Sequence, residues 1–279
     1  MRLTNRVTRA AAKTLLYYLR NPREIMRPRV DELVTTADGL RYLCSYENHI
    51  ERLLMTTGSF EPQATADVRR LIRPGWTVLD VGANVGYYTL LFSHLVGPSG
   101  QVHAFEPTSY AFGRLLRNMA LNDTVLPPNI RPLRAGLLRS AGERREAIES
   151  QFSARVLAYS QAEVLTFTTL DDYCSSRNLT LNFVKIDVDG YDVDVVQGGR
   201  STLTRDLPIM MCEFAQTHLA RQNHSVHEYI HLLLEIGYEW CSIEGRTDRT
   251  RLSDFLESRD LLSGSVNALL YGQRHGASA

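Results

Sequence analysis

The run Val78-Leu-Asp-Val-Gly-Ala-Asn-Val-Gly86 limits what this chain can fold into more than any other stretch. A short apolar strand ends in a carboxylate, Asp80, and two glycines, Gly82 and Gly86, frame a turn into the next helix. Glycine permits a sharp backbone turn and lets main chain approach a ligand where a side chain would occupy the ligand's space. The helix that follows from Val85 points its free amide groups toward the turn. The same alternation recurs downstream: Thr77 to Val81 then Tyr87 to Leu95, Val102 to Phe105 then Tyr110 to Leu121, and Phe183 to Val188 then Val193 to Leu203. Strands alternating with helices predict a doubly wound α/β fold, with a mainly parallel sheet covered on both faces. Ile209 to Phe214, Tyr238 to Ile243 and Val266 to Tyr271 supply further strands, and Val226 to Ile236 a further helix. Between the third and fourth core strands, Glu146 to Thr169 reads as an inserted hairpin in which Val164 to Thr169 alternates like a half-exposed strand.

Composition removes several function classes. Lys plus Arg equals Asp plus Glu at 31 each, so no overall field draws the chain to a polyanion and a nucleic-acid partner is not expected. Cys44, Cys174, Cys212 and Cys241 form no C-x-x-C pair, which argues against a disulfide framework or zinc knuckle and for a reducing, cytoplasmic setting. No apolar run approaches the ~20 residues of a spanning helix. The first thirty residues are locally basic, with Arg2, Arg6, Arg9, Lys13, Arg20, Arg23, Arg27 and Arg29 against Glu24. There Ala10 to Leu19 reads as a basic amphipathic helix, either a solvated leader or a peripheral membrane contact.

The turn also narrows the ligand. A dinucleotide fingerprint reads G-x-G-x-x-G, and here Asn84 occupies the middle glycine position. With no Tyr-x-x-x-Lys pair in the chain, a nicotinamide-dependent oxidoreductase is the weaker reading. Asp80 suits a ligand carrying ammonium and sulfonium groups, and S-adenosylmethionine is such a ligand. Glu106 closes the second strand twenty positions past Gly86, where a carboxylate accepts hydrogen bonds from ribose hydroxyls.

Asp80-Val-Gly-Ala-Asn-Val-Gly-Tyr-Tyr-Thr89, Phe105-Glu106-Pro107, Thr169-Leu-Asp-Asp-Tyr173, Val184-Lys-Ile-Asp-Val-Asp-Gly190 and Cys212-Glu213 together resemble the FkbM-type methyltransferase family, in consistent order from about Phe60 to Tyr271. The resemblance implies a class I methyltransferase fold and transfer of a methyl group from S-adenosylmethionine to a hydroxyl oxygen, on a small-molecule, polyketide, or glycan or lipid-linked acceptor. It implies cofactor contacts from Asp80, Gly82, Ala83, Asn84, Gly86, Tyr87, Glu106, Pro107 and Asp187, with Ala135 the adenine-flanking position after the third strand. Residues 58–279 then form the methyltransferase domain and 1–57 a helical and lead-in extension. Where the family carries Asp-Val-Glu-Gly-x-Glu, this chain has Asp187-Val-Asp189-Gly-Tyr191-Asp192, which keeps the charge but retracts it.

Ligands of open parallel sheets gather at the carboxyl ends of the strands, where Asp80, Glu106, Asp187 and Glu213 are expected. Methyl transfer needs the acceptor oxygen aligned and its proton removed. Asp187 or Asp189 can serve as the base, with Tyr191 beside them, although Asp189-Gly190 also reads as a plain turn with Asp192 capping the next helix. Glu213 is either a catalytic-edge acid or a satisfied buried carboxylate, and His218 just past it can shuttle a proton. His227 and His231 have chelating i, i+4 spacing but read more simply as a polar helix face. A magnesium ion on Asp187 stays open as a cofactor, although no Asp-Asp or Asp-Asn pair follows the fifth strand to complete an octahedron. Oligomeric state leaves no signature in the sequence. A catalytically silent module that binds the cofactor is the remaining alternative.

Overall fold

The computed structural model describes residues 31–46, 48–147, 162–256 and 265–273. The basic segment ahead of Asp31 and the middle of the Glu146 to Thr169 insertion lie outside the described residues. The chain divides into two compact units, Met1–Phe60 with Glu146–Glu163, and Glu61–Arg145 with Val164–Ala279.

In the first unit, β1 (Glu32–Thr35) and β2 (Arg41–Cys44) form an antiparallel hairpin. Helix α1 (His49–Thr57) follows, with the Asn48 side chain accepting from Glu51 N at its start and left-handed Gly58 ending it. This is the lead-in element expected over Asp31 to Thr57.

The second unit begins with α2 (Pro62–Leu71), which sequence reasoning missed, and passes into β3 (Thr77–Val81), α3 (Tyr87–Val96), β4 (Gln101–Phe105), α4 (Ser109–Leu121) and β5 (Ile130–Leu133). Three short strands come next, β6 (Gly136–Leu137), β7 (Gly142–Ala147) and β8 (Ala162–Thr168), and form a separate sheet in the order β6-β8-β7. The expected inserted strand is therefore present, but it pairs with β6 rather than with the main sheet. Beyond it lie α5 (Leu170–Ser175), β9 (Phe183–Ile186), α6 (Asp192–Gln197), α7 (Arg200–Asp206), β10 (Ile209–Ala215), α8 (Gln216–Leu219), α9 (Val226–Ile236), β11 (Tyr238–Ile243), β12 (Thr250–Arg251), α10 (Leu252–Phe255) and β13 (Ser265–Gly272).

The main sheet has the order β12-β11-β13-β10-β9-β3-β4-β5. Strands β10, β9, β3, β4 and β5 run parallel, while β13 inserts antiparallel between β10 and β11. β3 and β9 are buried at every residue, as strands covered on both faces must be, and this explains their near-continuous Val, Leu, Ile and Phe content. One apolar cluster on the face covered by α5, α6 and α9 joins Leu79, Val81, Phe105, Val184 and Ile186 to Tyr173, Val193 and Leu233.

The single helix expected over Val193 to Leu203 is broken in two. Gly198 and Gly199 sit at the break, and a Cβ on Gly198 would stand 2.1 Å from the Leu138 carbonyl oxygen. Main chain of a distant segment thus passes where a helical side chain would be.

Candidate active site

Neighbouring strands β10, β9, β3 and β4 bring the four expected acids to one edge of the sheet. Glu213 lies within β10, Asp187 directly follows β9, Asp80 is one residue short of the end of β3, and Glu106 directly follows β4. Their approach needs no loop rearrangement, because parallel strands end in the same direction.

The glycine turn has the expected shape, and packing within the chain demands it. Gly82 and Gly86 have φ of 84° and 91°, a region open to glycine at little cost. A Cβ on Gly82 would sit 1.9 Å from the Asp187 carbonyl oxygen, and one on Gly86 2.5 Å from Leu115 Cδ1. Space at both positions is already filled by the chain itself, and that packing alone requires glycine. The amides are also committed: Gly82 N and Ala83 N donate to the Phe105 carbonyl at 3.0 and 2.9 Å, and Gly86 N to the Ala83 carbonyl. Asn84, left-handed at φ 50°, donates its N–H to Glu106 Oε2 at 3.0 Å. These four turn amides thus lock the turn onto β4, Glu106 and itself.

Glu106 is buried and its Oε1 also accepts from Thr108 N at 2.9 Å and Thr108 Oγ1 at 2.6 Å. Burial pushes its carboxyl up, against the Thr108 and Asn84 hydrogen bonds. Oε2 has one protein donor and retains a lone pair for a hydroxyl.

A charge cluster that the sequence did not disclose stands beside the turn. Lys185, 3 % exposed, is the register partner of Asp80 across β9 and β3. Its Nζ donates to Asp187 Oδ2 at 3.0 Å and lies 5.3 Å from the Tyr88 ring centre. Burial alone would lower the Lys185 pKa, but Asp187 and Asp80 raise it, so the ammonium stays charged. Asp80 is fully buried, accepts from Thr89 Oγ1 at 2.5 Å through Oδ2, and has no partner at Oδ1. Glu61 joins the group from the start of α2: its φ of 42° is left-handed, and Tyr88 Oη donates to its Oε2 at 2.8 Å. Burial and then the Asp187 charge raise the Glu61 pKa. A non-glycine residue held in that conformation beside a buried carboxylate cluster is a common mark of a functional position. Its only sequence signal was Glu before Pro62 at a helix start, which is far too common to single it out.

On the other side of Asp187, His218 Nδ1 lies 3.2 Å from Glu213 Oε2 and 4.0 Å from Asp189 Oδ1. Ser265 Oγ donates to Glu213 Oε1 at 2.5 Å. Asp189 is left-handed at φ 53°, and Gly190 follows at φ 104° because a Cβ there would meet the His218 carbonyl oxygen at 2.2 Å. Asp189-Gly190 is therefore a turn, and it also carries Asp189 toward His218. Burial, then the Asp187 charge, raises Asp189. Asp192 is buried and accepts from Gly190 N at 3.1 Å, and burial with the Asp187 charge pushes it up to about 7.

Of the remaining candidates, Pro107 lies beside Gly136 and so next to Ala135 at the tips of β4 and β5. Tyr87 is buried, its hydroxyl 3.1 Å from Thr65 Oγ1. Tyr191 is half-buried just ahead of α6. His227 and His231 are both exposed on α9, and among the described residues no group of three or more His, Cys, Asp or Glu side chains is placed to hold a metal ion. The magnesium option on Asp187 gains no support from this arrangement.

A mainly parallel sheet with one antiparallel strand inserted near its edge, and acids at the tips of the central strands, is a Rossmann-like domain of the class I methyltransferase type. The sequence model of the Methyltransferase FkbM domain matches residues 80–240, and the chain belongs to that family. It is 51 % identical over 47 residues to the 31-O-demethyl-FK506 methyltransferase FkbM of Streptomyces tacrolimicus, covering 17 % of this chain and 18 % of that protein. It is 29 % identical over 127 residues to the hexuronic acid methyltransferase AglP of Haloferax volcanii, covering 44 % of this chain and 50 % of that one. The chain thus spans half the length or less of the curated relatives it matches. Among solved structures, methyltransferase FkbM from Methylobacillus flagellatus KT aligns with a TM-score of 0.47 at 13 % identity, over 74 % of this chain and 50 % of that chain.

Proposed function

We propose that this protein is an S-adenosylmethionine-dependent O-methyltransferase acting on a hydroxyl of a small molecule or sugar, with residues 58–279 as the transferase domain. The observation that carries this reading is the His218–Glu213 contact at 3.2 Å on the same strand-tip edge as Glu106 and Asp80. The edge is rich in carboxylates, and Asp80 Oδ1 is buried without a partner, a donor set that suits a cationic ligand. Glu106 would hold the ribose hydroxyls, and Asp80 with Asp187 would face the cationic end. When bound, S-adenosylmethionine supplies an electrophilic methyl group on sulfur.

The chain's own task is then to orient the acceptor oxygen and take its proton. Glu213 fixes the tautomer with the proton on His218 Nδ1, leaving Nε2 to receive the acceptor's proton, and it stabilises the imidazolium that forms. Asp189 adds negative potential from 4.0 Å. Asp187, tied to Lys185 Nζ, is better suited to positioning than to accepting a proton. The hydroxyl acceptor is supported by one matched relative, named for a 31-O-demethyl compound, and the sugar class by another, named for hexuronic acid. Labelled methyl transfer to hexuronic acids and to hydroxylated macrolides tests the reading. Label on the acceptor oxygen is expected, and cofactor binding without transfer to any hydroxyl acceptor would overturn it.

A further inference from the structure

A second polar site lies on the α5 face of the sheet, partway down the strands. His103 and Arg131 are register partners in β4 and β5, so their side chains leave the same face. They line a cavity of about 470 Å³ together with Gln101, Leu133, Tyr173 and Arg177. None of its lining residues is acidic. The cavity opens beside β5, which ends the main sheet.

Two guanidiniums are gathered here without a counter-charge. Arg177 stacks over the Tyr173 ring at 4.2 Å and donates to Ser176 Oγ, and among the described residues neither Arg131 nor Arg177 has a carboxylate partner. Between them His103 is 3 % exposed, with Nδ1 2.8 Å from Tyr173 Oη and Nε2 buried without a partner. Burial, then the charges of Arg131 and Arg177, hold the imidazole down at about 4. The strands and α5 therefore hold two cations beside an imidazole kept neutral, where any acid within reach would have offset them.

The geometry points to an oxyanion-binding site for a phosphate ester, with Arg131 and Arg177 as its clamps. Guanidinium forks match tetrahedral oxyanions, and two positive charges match a phosphate dianion better than a single carboxylate. Neither the glycine turn nor the strand-tip acids take part, so the site does not depend on the transferase reading.

The test is calorimetric titration of the full chain with inorganic phosphate at neutral pH, in chloride of matched ionic strength, with acetate as the carboxylate control. Saturable phosphate binding is expected, weakened by about tenfold or more in Arg131→Gln and in Arg177→Gln. Both arginines are exposed, so the variants are expected to melt with the parent. A second readout follows the His103 ring by long-range proton–nitrogen correlation as pH falls. Bound phosphate, a monoanion at the pH where His103 titrates, offsets part of the charge of the two arginines and moves the His103 midpoint upward in the parent but not in the arginine variants. Absence of saturable heat, equal binding by acetate, or an unchanged His103 midpoint would overturn the assignment.

Discussion

Lys185 Nζ donates to Asp187 Oδ2 at 3.0 Å from a position that is almost wholly enclosed, while its register partner on β3 is the buried Asp80. One ammonium thus serves carboxylates on two adjacent strand tips, and Glu61 adds a third from α2. Removing a cation from such a group leaves uncompensated buried charge. Lys185→Met is expected to cost about 3–5 kcal/mol in urea unfolding. Adding Asp80→Asn in the same chain should restore much of that loss. Equal stability of parent and single variant would show that the ammonium does not hold the cluster.

The glycine turn makes a steric prediction. Gly82→Ala would place Cβ against the Asp187 carbonyl oxygen at φ 84°, whereas Gly97, at φ 64°, has nothing within 4 Å of its would-be Cβ. Gly97 also has ψ −170°, a region essentially confined to glycine, so Gly97→Ala should cost about 1–3 kcal/mol for backbone strain alone. Gly82→Ala should cost well beyond that, read as a lower melting temperature. Equal costs would mean that the close approach of Asp187 is not rigid.

Asp192 gives a pH signature. Its folded value of about 7 lies above the ordinary 3.8 of an aspartate, so the native state binds the extra proton between those limits. Its contribution to stability is fully present below the unfolded value and is lost as pH rises through the folded one. Asp192→Asn should therefore melt above the parent in mild alkali, and the gap should narrow as pH falls below about 7 and close at about 4. A gap independent of pH would contradict the shift.

Glu213 is expected to act through His218. Glu213→Gln keeps the shape but removes the charge that stabilises the imidazolium, so kcat should fall by about 10²-fold with little change in KM for the cofactor. A loss confined to KM would assign Glu213 to binding instead.

Much of the fold could be read before any coordinates. β3 and β11 fall on the expected residues, and α9 spans Val226–Ile236 as anticipated, because buried parallel strands read as apolar runs and Ser225 and Gly237 bracket that helix. Helix α2 escaped notice because its buried face carries Thr65 and Asp67 beside Ala64 and Val68, so no apolar stripe marks it. The split between α6 and α7 depends on Leu138, sixty residues upstream of Gly198, and no local pattern carries that information. The site divides in the same way. The strand-tip acids and the nearness of His218 to Glu213 follow from strand ends and short spacing, whereas the pairing of Lys185 with Asp80 needs the register of two strands, and Glu61 needs the packing of α2.

The carboxyl edge of β3 and β4 is proposed to bind a sulfonium nucleoside, with Glu106 gripping its ribose. Calorimetric titration of the folded chain with S-adenosylhomocysteine tests this directly, since the product retains the ribose and the amino-acid end. Saturable heat is expected for the parent, with affinity reduced by about tenfold or more in Glu106→Ala. A folded parent that gives no heat, or a Glu106→Ala chain that binds as tightly as the parent, would contradict it.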